Sequence, residues 1–90
     1  MPQWKSMLNS LLDLPQDMVY NLPRLTMVGN RHLVIENYLR ILAFDQGGVK
    51  LIVNGGSLSI RGDNLVLQSI GREEVVVCGY IKGMFFEEGP

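Results

Sequence analysis

The side chains that could carry out nucleophilic or metal chemistry are few, and they are spread along the sequence. His32 is the only histidine and Cys78 the only cysteine. A zinc site normally needs three or four ligands, which one histidine and one cysteine cannot supply. Ser57 and Ser59 lie in or beside a predicted hairpin, without the glycine-framed turn that exposes the nucleophile of many hydrolases. These residues predict neither a catalytic centre nor a metal site.

Acidic and glycine pairs give no stronger chemical signal. Glu73-Glu74 and Glu87-Glu88 fit solvated turn and terminal positions better than a catalytic acid pair. Gly47-Gly48 and Gly55-Gly56 fit hairpin turns, because no P-loop lysine and serine follow them. We therefore expect a non-enzymatic protein without a cofactor.

Composition narrows the class of protein further. The chain has 90 residues, 47% of them hydrophobic, and a formal net charge of −1. Its pI of about 5.7 argues against nucleic-acid binding, which usually needs a basic patch. The lone cysteine, the lack of a signal-peptide pattern and the lack of an apolar run of about 20 residues predict a cytoplasmic protein without a transmembrane segment. The apolar excess also favours a covered surface, either in a homo-oligomer or against a partner.

Apolar residues recur at every second position over most of the chain, the spacing of half-buried strands. The pattern starts at Leu33 and Ile35 and is clearest in Val49, Leu51 and Val53. Short turn signals separate the runs, namely Gly29-Asn30, Asp45-Gln-Gly-Gly48, Asn54-Gly-Gly-Ser57 and Gly62-Asp63. Turns this short join antiparallel strands. In this interpretation the strand over 64–70 returns across Gly62-Asp63, and Gly79 and Gly83 mark bulges in the last strand.

The N-terminal segment follows a different period. Trp4, Met7, Leu8, Leu11 and Leu12 form one apolar stripe of a predicted helix over residues 2–14. This stripe can pack on the sheet or dock on a protein partner. Lys5 alone is too little positive charge for a membrane-surface helix.

The last predicted strand is apolar on both faces. If Val75, Val77 and Ile81 point inward, then Val76, Cys78 and Tyr80 point outward. A strand that is apolar on both faces is usually covered on both. Either the helix or another subunit can cover it, and Cys78 would then be a buried apolar residue. The candidate interaction surface comprises Trp4, Leu8, Leu11, Val76, Cys78 and Tyr80.

The predicted fold is all-β, a small antiparallel sheet, twisted and folded, of about six to eight short strands. One N-terminal amphipathic helix accompanies it. We expect one domain over residues 1–90, with the helix at 2–14 and a β-rich body at 24–87.

Several stretches give the chain a family resemblance. The most specific are Leu22-Pro-Arg-Leu-Thr-Met27 and Ile35-Glu-Asn37, followed by Gly56–Leu67 and Val75–Phe86. In this order and over nearly the whole chain, they resemble the YabP/YqfC family of sporulation proteins, most closely its YqfC branch. The chain departs from the family pattern at Tyr38-Leu39-Arg40, where a glycine is expected before Ile41.

The resemblance implies a protein of endospore-forming bacteria that acts in the mother cell during sporulation. It implies no enzyme activity, cofactor or catalytic residue. It suggests an assembly role with a membrane-associated sporulation protein, which would place the chain at the periphery of a membrane.

One motif favours a different function. The segment from Ser59 to Leu67, with Arg61-Gly62 within it, resembles the second signature of Sm-like RNA-binding proteins, in which an arginine-glycine pair helps to bind a base. That signature should fall near the end of the domain, whereas another long strand follows here. We keep a small RNA-binding β-barrel that uses Arg61-Gly62 as the alternative function, although this position in the chain argues against it.

Overall fold

The structure is a computed structural model that describes residues 22–89, and these residues form one antiparallel sheet of six strands. The strands are β1 (Arg24–Val28), β2 (His32–Glu36), β3 (Arg40–Asp45), β4 (Gly48–Val53), β5 (Gly56–Ile70) and β6 (Glu74–Glu88). Their order across the sheet is β1-β2-β6-β5-β4-β3, so the last two strands occupy its centre. The all-β antiparallel prediction is confirmed. The predicted helix over 2–14 lies outside the described residues.

The alternating pattern places one side of β2, β4, β5 and β6 in the core. In β4, Val49, Leu51 and Val53 are buried, whereas the residues between them are half-buried. Leu51 lies opposite Leu58 of β5, another fully buried side chain. We call the side of the sheet that carries these residues the inner face and the opposite side the outer face.

Strands β5 and β6 are each 15 residues long, and three register shifts interrupt their pairing. The predicted turn at Gly62-Asp63 is therefore wrong, because β5 continues through both residues. Gly62 lies opposite Ile81 and Arg61 opposite Gly83, which leaves Lys82 as the extra residue of a bulge. The predicted bulge near Gly83 is thus present.

The second register shift lies beside the first. Asn64 has φ 53°, a left-handed conformation, and Gly79 on the facing strand has φ 131°. Together the two shifts bend the β5–β6 pair near its middle, as bulges do.

An exposed ion pair spans this bend. Lys82 Nζ lies 2.8 Å from Asp63 Oδ2. The hydrogen bond to Asp63 and its negative charge raise the pKa of Lys82 above the ordinary value of 10.5. Lys82 therefore keeps its positive charge until the pH rises through this elevated pKa.

The bend divides the sheet into two halves. The first half contains β1, β2 and the parts of β5 and β6 next to the turn that connects these two strands. The second half contains β3, β4 and the opposite ends of β5 and β6. Buried side chains from both halves form one core cluster, so the halves face each other across it. The cluster comprises Leu33, Ile35, Tyr38, Val49, Leu51, Val53, Leu58, Ile60, Leu65, Val75, Val77 and Ile81.

The connection from β2 to β3 links the halves. The Tyr38 ring is buried, and its hydroxyl donates a hydrogen bond of 2.6 Å to the carbonyl oxygen of Gly71 in the β5–β6 turn. Asn37 N–H donates to Glu73 O in the same turn, and Leu39 N–H donates to Ile52 O in β4. This loop therefore fixes the position of one half relative to the other.

Candidate interaction surface

The outer face of the first half carries an apolar surface, built up from residue pairs across its four strands. Val34 of β2 lies opposite Val76 of β6, and Cys78 of β6 lies between His32 and Val66. Because residues directly opposite in an antiparallel pair share a face, these side chains all point away from the core. Val28 of β1 joins them because it lies opposite His32, which separates it from Cys78. We call Val28, Val34, Val66, Val76, Cys78 and Tyr80 the outer patch.

The outer patch is open to solvent at its margins. Val66 and Tyr80 expose 55% and 47% of their surface, whereas Val34 and Val76 at the centre are half-buried. An apolar centre of this kind, with charged residues at its edge, is typical of a protein-binding surface.

Charged side chains border the outer patch at both ends. Arg24 lies 4.0 Å from Glu36 at one end, and the Lys82–Asp63 ion pair lies at the other. The Arg31 guanidinium sits over the Tyr80 ring, 4.7 Å from its centroid. This cation–π contact orients Tyr80 on the outer face.

Cys78 has polar contacts that the sequence did not predict. Its thiol donates a hydrogen bond of 2.7 Å to Gln68 Oε1, and its Sγ lies 3.2 Å from His32 Nδ1. The residue is half-buried rather than fully buried. A thiol beside an imidazole is the pair that cysteine nucleophiles use. Here, however, the thiol hydrogen is directed to the amide oxygen of Gln68.

The residues predicted for interaction divide into two groups. Val76, Cys78 and Tyr80 lie together on the outer face, in line with the predicted orientation of β6. Trp4, Leu8 and Leu11 lie outside the described residues. The sequence analysis did not identify Val34 and Val66 as members of this surface.

The Arg61-Gly62 pair lies at the bend of β5. Arg61 is exposed, and its guanidinium is 5.5 Å from the centroid of the Phe85 ring. A Cβ atom on Gly62 would come within 2.0 Å of the Tyr80 carbonyl oxygen. The absence of a side chain at this position is thus explained by close packing of two backbones.

These features define a small β-sheet protein whose candidate site is an exposed surface. Within residues 22–89, no helix is long and apolar enough to cross a membrane. In the same residues, no group of three or more histidine, cysteine or acidic side chains could hold a metal ion.

Comparison with known proteins agrees with the resemblance seen in the sequence. Residues 21–90 match the model of the YabP family, and the chain belongs to the YabP/YqfC family. It is similar to the uncharacterized protein YqfC of Bacillus subtilis (strain 168), with 39% identity over 77 residues. The match covers 86% of this chain and 83% of that relative.

Proposed function

We propose that this protein is a non-enzymatic assembly component of sporulation, acting in the mother cell with a membrane-associated sporulation protein. Membership of the YabP/YqfC family supports the link to sporulation. The observation that carries the assembly role is the outer patch, an apolar surface bordered by charges. Binding would bury this surface and withdraw its apolar side chains from water.

Tyr80→Asp should disrupt this assembly without unfolding the protein. The substitution places a carboxylate within the apolar surface and removes the aromatic side chain, which together should weaken partner binding by at least about 30-fold, the effect of losing a hot-spot residue worth ~2 kcal/mol. In cells, the variant protein should move from the membrane fraction to the soluble fraction during sporulation, and the yield of heat-resistant spores should fall. Circular dichroism of the purified variant should retain the β-sheet signal.

Phe85→Asp is a matched control for this experiment. Phe85 is also an exposed aromatic residue of β6 with an arginine over its ring, but it lies on the outer face of the other half. Normal fractionation and spore yield with Tyr80→Asp, or equal losses with both variants, would remove the outer patch from the proposal. Leu8→Asp makes the corresponding change in the predicted helix stripe, so a defect in this variant alone would move the contact there.

Arg61→Ala tests the alternative RNA-binding function. If the protein bound RNA through Arg61-Gly62, removal of the guanidinium should abolish oligonucleotide binding. Under our proposal, wild type and variant should show the same background binding in a fluorescence-anisotropy titration with a uridine-rich oligonucleotide. The net charge of −1 supports that expectation. Salt-sensitive binding by wild type that is lost in the variant would favour the RNA function instead.

A further inference from the structure

Strand β3 is a free edge of the sheet. Among the described residues it pairs with β4 alone. Leu39, just before the strand, and Leu42 and Phe44 within it are 63%, 50% and 45% exposed. An edge strand presents unpaired N–H and C=O groups that another strand can join. This edge has no proline or lysine to prevent such pairing.

A bulge makes the side-chain pattern of β3 unusual. Ile41 lies opposite Leu51 and Ala43 opposite Lys50, which leaves Leu42 as an extra residue. Ile41 and Phe44 lie opposite core residues of β4 and therefore belong to the inner face. Arg40, Ala43 and Asp45 are on the outer face, and Leu42 lies there beside Lys50 and Ile52. From Arg40 to Asp45 the faces read outer, inner, outer, outer, inner, outer.

This pattern reads the same in both directions, which restricts the strands that can join the edge. A regular strand alternates at every residue, so it would match β3 on only one side of the bulge. A second copy of β3 running antiparallel matches over the whole strand, and it does so in one register. In that register Leu42 lies opposite Ala43 and Ile41 opposite Phe44 of the second copy.

The same register also brings opposite charges together. Arg40 falls opposite Asp45 of the second copy, and the two-fold symmetry creates this pair twice. Opposite charges directly across an antiparallel pair are stabilising. The edge strand β1 has no such match, because it carries Arg24 without an acidic residue.

We propose that β3 pairs with β3 of a second copy, so that the two six-stranded sheets form one continuous sheet. Arg40 and Asp45 define the register, and the bulge at Leu42 selects a second copy over an unrelated extended peptide. This interface lies on the opposite half of the sheet from the outer patch. It does not depend on the proposed role in sporulation.

Exchange of charge tests this register. Wild type should self-associate in a concentration-dependent manner in sedimentation velocity and light scattering. Arg40→Asp and Asp45→Arg should each weaken self-association at least about tenfold, because each replaces two opposite-charge pairs by two like-charge pairs. An equimolar mixture of the two variants should restore the dimer, since each chain then supplies the charge that the other lacks.

Asp45 needs its own control, because its Oδ1 also accepts a hydrogen bond of 2.8 Å from Gly47 N–H. Asp45→Asn keeps this acceptor and removes the charge, so it should weaken the dimer less than Asp45→Arg while leaving the turn intact. A monomeric wild type would overturn the proposal. It would also be overturned by a dimer that Arg40→Asp does not weaken, or by a mixture of two folded variants that remains monomeric. If Asp45→Arg does not fold, an Arg40→Asp dimer of unchanged strength is still sufficient to overturn it.

Discussion

Gly62→Ala is expected to unfold the protein or to lower its free energy of unfolding by about 3 kcal/mol or more, the upper range for overpacked sites. A Cβ at Gly62 would lie 2.0 Å from the Tyr80 carbonyl oxygen and 2.9 Å from Leu65 Cδ2. The first contact is with backbone, which cannot move aside without breaking the pairing of β5 and β6. Urea denaturation followed by circular dichroism would measure the loss.

Gly47→Ala is the matched control. Neither glycine has a positive φ, and the nearest atom to a Cβ at Gly47 is Asp45 Oδ1 at 3.4 Å, an ordinary contact. We expect this variant to stay within about 0.5 kcal/mol of wild type, as surface substitutions usually do. If Gly62→Ala were as stable as Gly47→Ala, the close approach of the two strands at the bend would be refuted.

Leu65→Ala should cost about 2–5 kcal/mol, the usual range for truncation of a buried leucine. Leu65 is 1% exposed and belongs to the core shared by both halves. Its N–H also donates to Gln46 O, so the residue lies where β5 meets the β3–β4 turn. The cavity left by truncation cannot close easily, because the neighbouring backbone is held in place. Thermal unfolding should show a clear fall in Tm.

The neighbouring Val66 provides the comparison. Val66 lies on the same strand but points outward, so Val66→Ala should change the free energy of unfolding by less than about 0.5 kcal/mol. Equal losses from the two truncations would mean that the outer face is as buried as the core. That result would contradict the assigned faces of β5.

Much of this fold could be predicted from the sequence because one face of each strand is apolar. The two-residue period in Val49–Val53 identifies a strand whichever strands lie beside it, and the glycines next to it identify hairpin turns. The inner positions of β2, β4 and β6 were predicted for this reason.

The bend at Gly62-Asp63 could not be predicted in the same way. The sequence Gly-Asp-Asn is typical of a turn, and Asn64 does adopt a left-handed conformation. Yet Gly62 is required for the close approach of a carbonyl oxygen, not for its backbone angle. A turn and a bulge use the same residue types, and only pairing with distant β6 distinguishes them.

The outer patch was only partly predictable for a related reason. The faces of Val76, Cys78 and Tyr80 follow from alternation within one strand. That Val34 and Val66 lie beside them depends on the position of β6 between β2 and β5, which local patterns do not encode. The contact between His32 and Cys78 likewise joins residues far apart in the sequence.

The position of β6 between β2 and β5 also determines when the β1–β2 hairpin can become stable during synthesis. Strands β3, β4 and β5 follow one another and can pair as each leaves the ribosome. By contrast, β2 pairs with Glu74–Cys78, about 40 residues later in the chain. Until that segment appears, Leu33 and Ile35 lack the neighbour that shields them, and such long-range pairing is slow. The β1–β2 hairpin therefore stays exposed to chaperones and to misfolding in the nascent protein until β6 has been made.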